Sequence, residues 1–119
     1  PNYALAYNNL ASILTRTGDA KAALPFARQA ATLMPNTAAA SDTLGWALFK
    51  AGQTPQAIDA LQRAATLAPD NPETLYRLAV AKNAAGDKAA AKAHLAAALK
   101  ISTAFRDAEN ARTVLGQLR

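Results

Sequence analysis

The sequence contains no cysteine. Thiol nucleophiles, disulfides and thiolate metal sites are thereby excluded, and neither redox environment is favoured. Its single histidine, His94, sits among alanines without a carboxylate or hydroxyl partner at helical spacing, and reads as a partly exposed helix residue. Ser12, Ser41 and Ser102 have no base within local reach, and no His/Asp or His/Glu cluster suggests a metal. The pairs Gly18-Asp19, Gly52-Gln53 and Gly86-Asp87 lack the Lys-Ser/Thr of a phosphate loop. Neither enzymatic activity nor a cofactor is therefore expected. No apolar run reaches 18 residues, so no membrane span is expected. No signal-peptide pattern opens the chain, and Pro1 in place of a starting Met points to an excerpt of something longer. Acids are the scarce charge, 8 against 13 bases, for a net charge of +5. The bases are scattered along the chain, whereas a nucleic-acid footprint would cluster them. No nucleic-acid affinity is expected at physiological salt.

What remains is a chain of 119 residues, the size of one domain or of one stretch of a repeat array. Alanine takes over a quarter of the positions and aromatics only 6%. Alanine has the best helix propensity, and small side chains let helices pack closely, so strand-rich architectures are excluded. The sequence also repeats itself. Gly18, Gly52 and Gly86 are 34 residues apart, as are Pro35 and Pro69, with Thr103 at the third step. Leu10, Leu44 and Leu78 fall in register, followed by Ala11, Gly45 and Ala79. So do Ala23, Ala57 and Ala91, then Ala30, Ala64 and Ala98, and finally Leu33, Leu67 and Ile101. Self-similarity at a period of 34 is the mark of a helical repeat architecture.

The chemistry of the columns agrees. Each in-register glycine ends a helical pattern where a left-handed residue is wanted. Asp19 and Asp87 follow directly and suit the N-cap of the next helix. Thr54-Pro55 is expected to do the same in the second unit, with Pro at the first helical position, and Asn71-Pro72 opens the third. Pro25 falls inside a helix, where it removes a backbone donor and predicts a kink or a late start.

The period and these columns resemble the tetratricopeptide repeat (TPR) family. Pentatricopeptide repeats, which read RNA, run slightly longer and lack the Gly–Ala–Pro pattern. The resemblance implies an all-α fold, a right-handed α-solenoid of three helix–turn–helix units at 4–37, 38–71 and 72–105. A capping helix is expected at about 104–119, with Phe105, Ala108, Ala111, Leu115 and Leu118 buried. Arg106, Asp107, Glu109, Asn110, Arg112 and Gln117 would form its polar outer face. Nothing comparable covers the first helix, where Tyr3, Leu5 and Leu10 are available for packing. The expectation is the C-terminal end of a longer array, or self-association through that uncapped helix.

The resemblance further implies a concave groove lined by the first helix of each unit, able to hold a protein or peptide segment. Its family positions fall on Leu5, Asn8, Ser12, Thr15 and Arg16 in the first unit. The second unit supplies Ala39, Asp42, Trp46, Phe49 and Lys50, and the third Glu73, Tyr76, Val80, Asn83 and Ala84, with Asn9 and Arg77 bordering. The candidate binding residues are Asn8, Ser12, Arg16, Asp42, Trp46, Phe49, Lys50, Tyr76, Arg77 and Asn83. For Trp46 binding and packing are evenly balanced; Phe49 is expected to pack, and Tyr76 leans toward binding. Some TPR co-chaperones grip a C-terminal carboxylate through a Lys, Asn, Asn, Lys, Arg clamp. The matching positions read Asn8, Ser12, Thr43, Glu73 and Arg77, of which only Arg77 agrees, so that partner class is disfavoured. Finally, Asp42-Thr43-Leu44-Gly45-Trp46, the run from Ala68 to Glu73 and the tail from Phe105 to Leu118 resemble TPR lipoproteins associated with exosortase (PEP-CTERM) and exopolysaccharide systems. That resemblance implies an exported bacterial parent, lipid-anchored upstream, in the periplasm or at the outer membrane; otherwise the compartment is cytoplasmic.

Overall fold

The structure, a computed structural model, describes residues 2–119. Among these residues seven helices follow one another: α1 (Asn2–Arg16), α2 (Ala20–Leu33), α3 (Ala38–Lys50), α4 (Thr54–Leu67), α5 (Pro72–Ala84), α6 (Lys88–Ile101) and α7 (Ala108–Leu118). No strand occurs among the described residues. Helices pair as α1 with α2, α3 with α4 and α5 with α6, and each pair packs on the next to give an all-α solenoid 42 Å long. No helix of the described residues is long and apolar enough to cross a membrane.

The turns inside the pairs share one device. Gly18, Gly52 and Gly86 stand at φ of 96°, 86° and 92°, a left-handed conformation that glycine adopts without steric cost. In each turn the following residue's N–H reaches back to a carbonyl five residues earlier. These bonds are Asp19 to Leu14 at 2.8 Å, Gln53 to Leu48 at 2.8 Å and Asp87 to Lys82 at 2.9 Å. The pattern satisfies carbonyls that the helix end would otherwise leave bare. Asp19 and Asp87 then cap α2 and α6, accepting from the N–H groups of Ala22 and Ala90. Asn71 caps α5, accepting from Glu73 and Thr74. The second unit differs from expectation by one residue: Gln53 is the N-cap, Thr54 is already helical, and Pro55 follows within the first turn. A proline there loses no hydrogen bond, because the first-turn N–H groups have no helical acceptor.

Pro25 neither delays nor interrupts α2, which begins at Ala20 and runs unbroken to Leu33. Its ring lies on the solvent face, while Phe26 beside it stacks on Tyr7 of α1 with centroids 6.1 Å apart.

Alanine forms the helix crossings. Ala23, Ala57 and Ala91 are fully buried, and so are Ala30, Ala64 and Ala98. Larger side chains fill what remains, with Leu61, Leu78, Leu95 and Thr74 the largest of those fully enclosed. Gly45 meets α4 so closely that a methyl group there would stand 2.5 Å from Leu61 Cγ and 3.0 Å from the Leu61 nitrogen. Leu33, Leu67 and Ile101, also in register, are 51%, 41% and 43% exposed, so this apolar column lies outside the core.

The last helix is shorter than its sequence pattern predicts. Helix α6 ends at Ile101, residues 102–107 form an irregular turn, and α7 starts only at Ala108. Ala108, Ala111 and Leu115 are buried as the periodicity requires. Phe105, expected on the helix, instead wedges from the turn between two apolar clusters, one around Leu61 and Leu78, the other around Tyr76 and Leu95. Arg106 and Asp107 are thereby removed from the outer face of α7 and brought to the concave side.

Candidate functional site

The first helices of the three pairs line a concave groove with a cavity of about 580 Å³. The solenoid positions its side chains by register. Arg16 and Lys50 end α1 and α3 at equivalent positions one repeat apart, so both stand at the same rim. Ser12, Thr15 and Thr43 supply hydroxyls along the wall, Ser12 and Thr43 lying 3.4 Å apart across α1 and α3. Trp46 and Arg77 line the centre, and Arg106 and Asp107 close the far end from the turn before α7.

Of the ten candidate residues, the structure gathers Ser12, Arg16, Trp46, Lys50 and Arg77 around this cavity. Five do not line it. Asp42 is only 8% exposed and engaged: Arg77 donates to its Oδ1 at 2.6 Å and the Thr74 hydroxyl to its Oδ2 at 2.5 Å. Tyr76, placed by its sequence position toward a ligand, is 8% exposed and packed with Leu95, Ala111 and Leu115. The docking of α7 covers it, which local spacing does not reveal. Phe49 packs on the cluster around Leu61 and stacks on Trp46 with centroids 5.4 Å apart. Asn83 accepts from Lys88 Nζ at 3.3 Å, within the third pair. Asn8 is half-buried with its Oδ1 unpartnered. Arg106 and Asp107 join the groove unforeseen; the signal available was that a residue of N-cap type, Asp107, precedes the final apolar stripe, which argues for a helix starting after it.

The Trp46 ring is already in use. Lys50 Nζ lies 4.8 Å and Arg77 Cζ 5.1 Å from its centroid, besides the stacked Phe49. Cations over an indole are attracted by its quadrupole, each by about 0.5–1 kcal/mol where water has access. Trp46 therefore orients two positive charges rather than offering a bare apolar face.

Below the groove, Glu73 of α5 faces the turn before α7. The Asp107 N–H donates to its Oε2 at 3.4 Å, while its Oε1 is buried without a partner. Burial first, then the Asp107 carboxyl as hydrogen-bonding neighbour and like charge, raise the Glu73 pKa from 4.5 to about 7; Arg77 draws it the other way. A raised carboxyl binds its proton more tightly in the folded state than in the unfolded one. Its contribution to stability is thus complete below pH 4.5 and is lost as pH rises through about 7. The urea midpoint is expected to fall between pH 5 and pH 7.5 in the wild type, and Glu73→Gln to flatten that slope. An unchanged slope in the variant would refute the assignment.

His94 is half-buried on α6 with its Nε2 3.3 Å from Lys82 Nζ; burial and then that ammonium lower its pKa. Asp87, at the start of the same helix, acts on it in the opposite direction. Among the described residues, no group of three His, Cys, Asp or Glu is placed to hold a metal.

Solved structures share this fold. The Yersinia enterocolitica type III secretion chaperone SycD, in complex with a peptide of the translocator YopD, is similar with a TM-score of 0.82 and 17% identity, over 99% of this chain and 90% of that one. MamA from Desulfovibrio magneticus RS-1 is similar with a TM-score of 0.77 and 25% identity, over 85% and 57%. The TPR2AB domain of yeast Sti1 in complex with pHSP90 is similar with a TM-score of 0.81 and 23% identity, over 99% and 45%. No curated protein matches the sequence. Two family models described as tetratricopeptide repeat do match it, one over residues 2–70 and the other over 48–118. With glycine-capped helix pairs repeating every 34 residues and two such matches spanning nearly its whole length, the chain belongs to the tetratricopeptide repeat family.

Proposed function

We propose that the protein is a non-catalytic protein–protein interaction scaffold whose concave groove receives a segment of a partner. The observation that carries this reading is the open groove of about 580 Å³ to which all three helix pairs and the final turn contribute side chains. The SycD structure with a YopD peptide and the Sti1 complex with pHSP90, built on the same fold, support it. A fold alone does not specify function, so the reading stands on the groove.

The absence of cysteine allows a direct test. A single Ser12→Cys can be labelled with a bulky maleimide at the groove wall, and Thr32→Cys at the second groove, between α2 and α4. A partner captured from an extract of the source organism should be retained by both unlabelled variants and by labelled Thr32→Cys. Labelled Ser12→Cys should lose it. Retention by labelled Ser12→Cys would rule the groove out.

A second reading is favoured by one observation: α1 exposes Tyr3, Leu5, Leu10 and Ile13 at 74%, 59%, 39% and 47%. These units would then extend a longer array or associate through that face. Light scattering that finds a concentration-independent monomer would exclude self-association. The wording around Trp46 and from Ala68 to Glu73 supports a narrower proposal, an exported bacterial parent serving exopolysaccharide assembly or protein sorting. Recovery of the native protein in the cytoplasmic fraction would contradict it.

A further inference from the structure

We infer that the groove selects an acidic, extended peptide segment whose side-chain carboxylates pair with Arg16, Lys50 and Arg106; this rests on the groove being the binding face. Four cations line the cavity, Arg16, Lys50, Arg77 and Arg106, against one acid, Asp107. Arg77 is held back, because Asp42 takes its guanidinium at 2.6 Å. The other three are exposed, and none of them is ion-paired among the described residues. Two of them repeat at the solenoid period, so carboxylates along an extended strand meet successive charges, with Arg106 at the far end. Complementary charge of this kind sets both specificity and the speed of encounter.

The occupant is a peptide and not a nucleic acid for a reason visible in the groove. Single-stranded nucleic acids are held by bases stacked on aromatic faces as well as by cations. The one aromatic ring lining the cavity, Trp46, is already crowded by Phe49, Lys50 and Arg77. The wall offers hydroxyls instead, from Ser12, Thr15 and Thr43, which suit peptide amides and carbonyls. Trp46 serves this site as a positioning residue that keeps Lys50 aimed across the groove.

The probes are a dye-labelled peptide of alternating Glu and Ser, its Gln-for-Glu counterpart, and an oligothymidylate, each followed by fluorescence anisotropy. The Glu peptide should bind about tenfold or more tightly than the Gln peptide, and lose most of its affinity between about 0.05 M and about 0.5 M salt. Arg16→Gln with Arg106→Gln should weaken it about tenfold while leaving the circular dichroism spectrum unchanged. Trp46→Leu should lower affinity for the Glu peptide and leave the Gln peptide unaffected. Equal binding of the two peptides, both blocked by labelled Ser12→Cys, overturns the charge selection and leaves the groove reading standing. Binding of the Glu peptide that survives the Ser12 label overturns both. Tighter binding of the oligothymidylate, or no measurable binding of the Glu peptide at low salt, overturns the inference.

Discussion

Asp42→Ala is expected to lower the unfolding free energy by about 2–4 kcal/mol. Asp42 accepts from two groups that have no other side-chain hydrogen-bond partner among the described residues. Thr74 is 1% exposed, and Arg77 has its Nε buried and unpartnered. Truncation strands both, and stranding a buried charge costs more than the intact pair contributes. The Arg77 side chain keeps 20% of its surface, so water relieves part of the penalty, and the estimate stays below that for a fully enclosed ion pair. Asp42→Asn keeps an acceptor for Thr74 and should cost less, about 1–2 kcal/mol. Urea unfolding of Asp42→Ala, Arg77→Ala and the double variant decides the matter. The double variant should be no less stable than Asp42→Ala alone. Strict additivity of the two losses would show that the pair is not coupled.

Gly45→Ala is expected to destabilise by about 1–3 kcal/mol, against the ordinary rule that alanine improves a helix over glycine by about 1 kcal/mol. The added methyl would meet Leu61 Cγ at 2.5 Å and the Leu61 backbone nitrogen at 3.0 Å. A side chain can turn away, but the backbone of α4 cannot, so the helices must separate and Leu61 loses its packing. Gly116 of α7 supplies the contrast. It has nothing within 4 Å of the position a methyl would take, and Gly116→Ala should stabilise by up to about 1 kcal/mol. Thermal unfolding of the two variants should therefore move in opposite directions. A stabilised Gly45→Ala would mean that α3 and α4 are not in close contact.

The parts of this fold legible in the sequence are those decided locally. A glycine followed by Asp19 or Asp87 ends one helix and caps the next within a few residues, and the structure repeats both events. The alanine columns were legible for the same reason, since only small side chains fit a helix crossing. What escaped depends on contacts between distant residues. Asp42 reads as a groove residue until Thr74 and Arg77, on a different helix pair, are seen to occupy it. Tyr76 reads as available until α7 covers it. The cations looked scattered because Arg16, Lys50 and Arg106 are far apart in the chain, and only the superposition of repeats brings them to one cavity. Residues 104–107 of the irregular turn fall within the last helix on sequence pattern alone, because the apolar Phe105 fits a helical period by coincidence.

Extensive packing in this solenoid runs between helices adjacent in the chain or next but one, and α1 and α7 do not pack on each other. The span from Arg16 to Arg106 is therefore the sum of small rotations at successive interfaces, which makes it the softest dimension of the molecule. The array behaves as a spring whose two jaws are its own ends. A ligand that bridges them clamps motions that no internal contact restrains. Hydrogen exchange would register this as slower opening at both extremities at once.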